Sequence, residues 1–319
     1  MAFGRNRVRF QPRDAQILNA IYDYGGVLSR TQIKEMFWPE KSWRSMEVRL
    51  AKLRSTGYLA WPEIRQRQQN ATSQSILWLG AKGILHVAQG RGVELELPTR
   101  LKESGLRKLE KALREQGISW LREPAWSKLG HNLTLVDVRR AIEKGAGSTA
   151  DIRLVEWIGE HAFRAQPDRI NYQVAKKGLV KTFTKAVIPD GAFTLIDVSR
   201  QLEGKPHRAR FLLELDMATH SNPNFGRFKV APYAAYVGSK PFEERFGGRA
   251  ARWLVITTGT TRLRNLMAQC RIYAGPKVNL FYFAATKDVL ASNPLVAPIW
   301  QCLGQKGKVP LIGNRGDHE

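Results

Sequence analysis

Residues 207–220 read HRARFLLELDMATH, and the apolar run at 211–216 carries two carboxylates. Side chains alternate between the two faces of a strand, so Glu214 and Asp216 share one face, roughly 7 Å apart at their Cα atoms. Two buried carboxylates this close need water, cations or a metal ion, because an unpaired buried charge is costly. The stretch therefore predicts a strand that carries a charged site.

The sequence around this stretch predicts a mixed α/β domain. An amphipathic helix at 131–145 is followed by strand-like segments near 151–160, 181–197 and 207–216. A helix bent or begun near Pro232, the buried strand RWLVITTG, another helix and the apolar strand VNLFYFAA complete the series. Helix, three strands, helix, strand, helix, strand is the restriction-endonuclease-like order. We predict that residues 130–319 form such a domain.

Three carboxylates suit the acidic positions of this fold. Asp190, in IPDGAF, precedes one strand, and Glu214 with Asp216 lies on the next. Hard oxygen ligands suit Mg²⁺ or Mn²⁺, and clustered carboxylates need a cation in order to coexist. We predict that these three residues bind the metal ion and act in phosphodiester cleavage, in which the metal generates hydroxide from water.

The lysine usual two residues after the glutamate is replaced here by Asp216. Lys229, on the following helix, is predicted to supply the missing cation and to act as a catalytic residue. The alternative is an ordinary surface lysine in a degenerate, structural copy of the nuclease domain. A second Pro-Asp pair ends at Asp168, 46 residues before Glu214 instead of 24 and in a polar stretch, so Asp190 is preferred.

Residues 1–90 predict a winged helix–turn–helix domain of three helices and a strand hairpin. Gly25 and Gly26 stop the first helix, Ser29 is an N-cap for the second, and Gly57 ends the third. YLAWP and SILWLG then read as paired strands on either side of a polar loop, the wing. The overall prediction is an α+β protein of two domains, joined by a linker and connecting helix at 91–129.

The third helix has two contrasting faces. A stripe of Met46, Leu50 and Leu53 predicts the core side, so the opposite side suits the major groove of DNA. The wing and a basic N-terminal arm suit the minor groove or the phosphates. The predicted DNA-binding residues are Lys41, Arg44, Ser45, Val48 and Lys52 in the helix, Arg65 and Arg67 in the wing, and Arg5, Arg7 and Arg9 in the arm. The alternative is a protein–protein module whose charged face is only solvated.

Composition indicates a polyanionic partner. Lys and Arg number 51 against 28 Asp and Glu, a formal net charge of +23. This surplus favours a protein that binds nucleic acid over a generally basic soluble protein. No apolar run approaches the roughly 20 residues of a membrane span, and two cysteines give no disulfide framework. With no apolar signal core at the N-terminus, we expect a cytoplasmic protein that binds DNA, in its double-stranded form.

The order of these motifs resembles the replication-relaxation family of bacterial plasmids and integrative elements. The resemblance covers roughly residues 12–285 and rests on RLAKLRSTGYL, HNLTLVDVR, IPDGAF, LLELDMATH and KVAPY in succession. It implies a role in replication, DNA relaxation or mobilisation, with a homodimer and other replication or mobilisation proteins as further partners.

Two other functions remain open at this point. The chain is alternatively a non-enzymatic replication initiator or transcriptional regulator, in which the second domain is a dimerisation or DNA-binding scaffold. A third hypothesis is an adaptor that recruits a separate relaxase. Rolling-circle relaxase chemistry is disfavoured because no His-x-His pair occurs, and a zinc site because no CxxC or HxxxH occurs.

Overall fold

The computed structural model describes residues 9–63, 75–98, 102–176, 179–219 and 221–312. The chain is α+β and divides into two compact units, Met1–Val136 and Asp137–Glu319. No helix in these described ranges is long and apolar enough to cross a membrane.

In its described residues, the first unit contains five α-helices and a small antiparallel sheet, followed by the start of a sixth helix. The sheet has the order β1-β3-β2. The helices are α1 (Pro12–Asp23), α2 (Arg30–Phe37), α3 (Trp43–Ser55), α4 (Ala81–Gln89) and α5 (Glu103–Glu115), and the strands are β1 (Val27–Ser29), β2 (Leu59–Ala60) and β3 (Ile76–Leu79).

Local sequence signals account for the helix boundaries in this unit. The predicted N-cap Ser29 is confirmed, since its Oγ accepts a hydrogen bond from the backbone N–H of Gln32 at 3.1 Å. The predicted stripe on α3 is also confirmed, because Met46, Leu50 and Leu53 are fully buried. The stripe holds α3 against the first core, and the opposite side of this helix is open to solvent.

The connecting segment contributes to the first core. Leu109 and Leu113 of α5 are buried among the side chains of the first three helices. The next helix, α6 (Leu129–Gly147), contains the boundary between the two units, which falls after Val136.

The second unit is built on a seven-stranded mixed sheet of order β12-β11-β10-β9-β8-β7-β4. Strand β7 is antiparallel to both β4 and β8, whereas β9 is parallel to β8 and β10. Among the strands of the described residues, β5 and β6 pair only with each other. The strands are β4 (Ile152–Gly159), β5 (Asp168–Lys176), β6 (Leu179–Val187), β7 (Gly191–Asp197), β8 (Arg208–Asp216), β9 (Arg252–Thr257), β10 (Phe281–Ala285), β11 (Trp300–Cys302) and β12 (Lys308–Val309).

The β5–β6 hairpin is an addition to the predicted order. The 181–197 segment forms two strands, β6 and β7, which belong to different sheets. Strand β5 was not predicted because many residues of 168–176 are polar. Ile170, Tyr172 and Val174 nevertheless alternate with these polar residues, as a half-buried strand requires. Without this hairpin and the short helices between the strands, the order is α6, β4, β7, β8, the helix Ala231–Tyr236, β9, the helix Thr260–Tyr273 and β10, which matches the predicted series.

The helices of this unit flank the sheet. A π-helical turn at Gly226–Val230 separates α9 from α10, so the helix near Pro232 starts earlier than Pro232 itself. A Cβ at Gly226 would lie 2.4 Å from the Tyr273 ring, which explains the glycine. The helices are α7 (Glu160–Ala165), α8 (Val198–Leu202), α9 (Asn222–Phe225), α10 (Ala231–Tyr236), α11 (Lys240–Phe246), α12 (Thr260–Tyr273) and α13 (Thr286–Ala291).

Candidate active site at the end of strand β8

Asp190 lies immediately before β7, beside the C-terminal end of β8. Its backbone N–H donates to the carbonyl of Leu213 at 2.9 Å, and its Oδ2 accepts from the N–H of Leu215 at 2.7 Å. Since Gly191 pairs with Leu213 in the antiparallel ladder, Asp190 lies level with Glu214. The sheet register therefore brings two carboxylates separated by 24 residues to one place.

Glu214 is buried and held by two side chains from the helical segment that follows β8. Lys229 Nζ lies 2.8 Å from its Oε1 and 3.0 Å from its Oε2, and the Tyr233 hydroxyl donates to Oε2. Lys229 Nζ is also 3.1 Å from the Tyr233 hydroxyl. The glutamate, lysine and tyrosine thus form one buried polar group, which we call the Glu214 cluster.

The electrostatics of the Glu214 cluster follow from burial. Burial raises the pKa of Glu214, and the charge of Asp190 adds to the rise while Lys229 opposes it. Burial lowers the pKa of Lys229, but the interactions with Glu214, Tyr233 and Asp190 together outweigh this and raise that pKa well above its ordinary value. Burial and Glu214 also raise the pKa of Tyr233, so this side chain remains a neutral donor.

The Tyr233 ring is fixed by the sheet beneath it. It stacks on Trp253 of β9 with ring centroids 3.8 Å apart and planes 2° from parallel. The Trp253 indole N–H donates to the backbone carbonyl of Tyr233 at 3.1 Å. Both contacts orient the hydroxyl toward Glu214.

A second lysine, Lys185 of β6, reaches the same region. Pro232 has no N–H and cannot donate to the carbonyl four residues earlier, that of Phe228. Lys185 Nζ donates to this carbonyl. Burial and then the charge of Lys229 lower the pKa of Lys185, while Glu214 acts in the opposite direction. The Glu214 cluster therefore has a cation beside it that the sequence analysis missed.

Asp216 does not join the Glu214 cluster, which corrects the prediction that three carboxylates form one site. Arg262 of α12 binds both of its oxygens, with Nε to Oδ2 and Nη2 to Oδ1 each at 2.8 Å. Thr257 Oγ1 also donates to Oδ2 at 2.9 Å. Burial raises the pKa of Asp216, but the hydrogen bonds from Arg262 and Thr257 outweigh it and the net pKa is lowered. Asp216 is thus occupied by an arginine.

The engagement of Asp216 by Arg262 leaves two of the three predicted metal ligands in one place. No group of three or more His, Cys, Asp or Glu side chains suited to a metal ion occurs within the described residues. Asp190 and Glu214 remain as a pair of neighbouring carboxylates. Such a pair fits Mg²⁺ or Mn²⁺, since Mg²⁺ is usually bound through one or two carboxylates together with substrate phosphates.

The other Pro-Asp pair has a structural role. Asp168 accepts from Arg245 at 2.5 Å through Nε and at 2.9 Å through Nη2, and from the Tyr236 hydroxyl. These contacts join β5 to α10 and α11. Asp168 therefore lies in an ion pair of its own.

The predicted DNA-binding residues of α3 are all exposed, but Lys41, which was predicted in this helix, lies before its first residue, Trp43. Val48 has 64% of its surface exposed, and the neighbouring Trp43 has 49%. The exposed set is Arg9, Lys41, Arg44, Ser45, Val48 and Lys52. Arg5, Arg7, Arg65 and Arg67 lie outside the described residues.

Two solved structures that resemble this chain are both titled as the restriction endonuclease FokI, one of them bound to DNA. Each is 11% identical in sequence, with TM-scores of 0.27 and 0.22. The matches cover 88% and 90% of this chain but 43% and 46% of those chains, so this chain spans less than half of their length. No curated protein matches the sequence.

A protein-family comparison gives a clear match. The replication-relaxation model aligns with residues 18–250, which include α3, Asp190, the Glu214 cluster and most of the strands that support them. The match extends over more than half of the sequence, and the chain belongs to the replication-relaxation family.

Proposed function

We propose that the chain is a DNA-binding protein of plasmid or mobile-element replication or relaxation whose second unit cleaves DNA with Mg²⁺ or Mn²⁺. The observation that carries the proposal is the meeting of Asp190, Glu214 and Lys229 on neighbouring elements. Family membership supports the biological role. The order of helices and strands around β7, β8 and β9 supports a restriction-endonuclease-like fold.

A winged-helix identity for the first unit is part of the proposal. Three helices precede the antiparallel pair β2–β3, and β1 completes the sheet. The side of α3 opposite its buried stripe presents cations, a hydroxyl and the small apolar Val48, which are residue types that bind phosphates, base edges and thymine methyl groups. This helix is the proposed recognition element for double-stranded DNA.

In the second unit, Asp190 and Glu214 would hold the metal ion. The metal, when bound, supplies a Lewis acid and an activated water. Lys229 neutralises charge that develops on the phosphate, and Lys185 adds positive charge at the same place. Tyr233 orients the Glu214 carboxylate and Lys229 through its hydroxyl.

A second candidate function is supported by the same contacts. Lys229 and Tyr233 together contact both oxygens of Glu214, which is also how a degenerate site would be satisfied without a metal ion. In that case the protein is a non-enzymatic initiator or regulator whose second unit is a scaffold.

Cleavage of supercoiled plasmid with Mg²⁺ or Mn²⁺ separates the two functions. We expect nicking or linearisation by the wild type and none by Glu214→Gln, with EDTA as the metal-free control. Glu156→Gln is the matched variant, since Glu156 is an exposed carboxylate of β4, which is separated from β8 by β7 in the same sheet. DNA binding by the wild type without cutting would favour the regulator.

Binding by α3 is tested separately. Arg44→Ala with Lys52→Ala should weaken duplex binding and reduce the slope of log affinity against log salt by about 2, since each phosphate contact contributes about 0.9. Lys108→Ala with Arg114→Ala removes two exposed cations from α5 and serves as the control. Equal losses in both variants would contradict a specific role for α3.

A further inference from the structure

The β5–β6 hairpin has one face that is polar along much of its length. The ladder pairs Asn171 with Thr184 and Gln173 with Thr182, so these four side chains share a face of the ribbon. All four are exposed, and so is Arg169 on the same face. This surface, which we call the ribbon face, consists of Arg169, Asn171, Gln173, Thr182 and Thr184.

The opposite face of the hairpin fixes its position. Ile170, Tyr172 and Val174 are each about 5% exposed and lie in the core of the second unit. The side chains between them, which form the ribbon face, therefore point away from that core. A strand pair anchored on one side presents the ribbon face to solvent as a rigid surface.

The charge of the hairpin favours an anionic partner. Arg169, Lys176, Lys181 and Lys185 lie on its strands, and Asp168 is the only acidic residue from 168 to 187. Arg245 already pairs with Asp168, so no acidic side chain of the hairpin offsets these four cations, of which Arg169 belongs to the ribbon face. A polyanion is the complementary partner.

We propose that the β5–β6 hairpin enters the major groove of duplex DNA and that the ribbon face reads base edges there. This inference rests on the proposed function. The major groove admits a two-stranded β-ribbon. Asn and Gln suit adenine, Arg suits guanine, and Thr suits either base edges or the thymine methyl. Thr184 Oγ1 donates to Asn171 Oδ1 at 2.7 Å, which fixes the amide in the ribbon face.

The position of Lys185 connects the ribbon with the candidate active site. Lys185 lies on β6 next in line to Thr184, and its Nζ contacts the backbone carbonyl beside Lys229. Successive side chains of a strand point to opposite faces, so Lys185 lies on the face of the hairpin opposite the ribbon face, toward the Glu214 cluster. In this proposal the ribbon face reads the sequence, and the opposite face of the same hairpin contacts the candidate active site.

Site-specific crosslinking in EDTA tests the proposal without cleavage. A photoactivatable crosslinker is attached to Gln173→Cys, and random-sequence duplexes are the probe. Cys270 and Cys302 are buried, and burial raises the pKa of Cys270 to about 12, so the native thiols react poorly. Leu202→Cys is the control, because Leu202 is 85% exposed and follows the far end of β7 from Asp190.

We expect Gln173→Cys to crosslink to DNA and Leu202→Cys not to do so, with both proteins bound in a gel shift. If the protein bound DNA but crosslinked no more from position 173 than from position 202, the proposed contact between the ribbon face and DNA would be overturned. The proposed function would remain intact. A wild type that binds no DNA would overturn both.

Selection from random duplexes provides the test of base reading. The double variant Asn171→Ala/Gln173→Ala should lose about 5- to 100-fold of the wild type's preference for its selected duplex over the random pool, as expected for bidentate amide–adenine contacts. Both side chains are exposed, so the variant should remain folded, and thermal unfolding checks this. An unchanged selected sequence would overturn base reading by this face.

Discussion

Glu214 and Asp216 lie two residues apart on the same strand, yet their surroundings shift their pKa values in opposite directions. Asp216 is bound through both oxygens by Arg262, and the net effect is a lowered pKa. Glu214 is bound by Lys229 and Tyr233 beside a second carboxylate, and its pKa is raised. Both are about 5% exposed, so burial alone does not explain the difference.

The comparison shows that partners, not position, separate a structural carboxylate from a candidate catalytic one. A fork of two parallel hydrogen bonds from arginine satisfies Asp216 and leaves little for a metal ion to gain. Glu214 instead has a like charge nearby and a lysine that can serve a phosphate. Perturbed groups of this kind are typical of functional sites.

The largest expected effect concerns cleavage. Glu214→Gln should reduce the rate of plasmid nicking at least ~1000-fold, because loss of metal-assisted stabilisation costs about 4 kcal/mol. Asp216→Asn should stay within about tenfold of the wild type where the protein is folded, since a tenfold change corresponds to only about 1.4 kcal/mol. Initial rates at saturating Mn²⁺ measure both. Similar losses in the two variants would remove the distinction between the carboxylates.

The next effect concerns folding. Arg262→Met should lower the free energy of unfolding of the second unit by about 3 kcal/mol, because it leaves Asp216 as a buried charge without its partner. Urea unfolding followed by tryptophan fluorescence measures it. Adding Asp216→Leu to Arg262→Met should recover much of the loss, as apolar replacements of buried pairs often do. A loss below about 1 kcal/mol, typical of surface pairs, would contradict a structural role for this pair.

The sequence predicted the parts of this arrangement that depend on local pattern. Periodicity predicted the buried stripe of α3, and capping chemistry predicted the role of Ser29. The order of the strands predicted that Asp190 lies beside Glu214. The role of Asp216 did not, because Arg262 is 46 residues away and an arginine on a helix carries no local sign of its partner. Strand β5 was missed because its exposed polar residues outweighed the alternation of Ile170, Tyr172 and Val174.

A smaller effect concerns the pH dependence of stability in EDTA. The lowered pKa of Asp216 contributes stability that is complete above the ordinary carboxyl pKa and is lost as pH falls through the lowered value. The raised pKa of Glu214 acts in the opposite sense, since the folded state then binds its proton more tightly. Arg262→Met should therefore weaken the acid dependence, and Glu214→Gln should steepen it. Urea midpoints from pH 3 to 7 measure both slopes, and equal slopes would show that the two carboxylates titrate alike.

The smallest effect concerns the two buried tyrosines that donate to carboxylates. Tyr233→Phe removes a hydrogen bond to Glu214 and should lower the cleavage rate about tenfold, as the loss of roughly 1.4 kcal/mol from a charged hydrogen bond predicts. Tyr236→Phe removes the equivalent bond to Asp168 and should leave the rate unchanged while lowering stability by a similar amount. Rates across a Mn²⁺ titration, with thermal unfolding of each variant, separate the effects. If Tyr236→Phe slowed cleavage as much as Tyr233→Phe, both hydroxyls would affect cleavage only by stabilising the fold. The result would then not distinguish Glu214 from Asp168 as a catalytic residue.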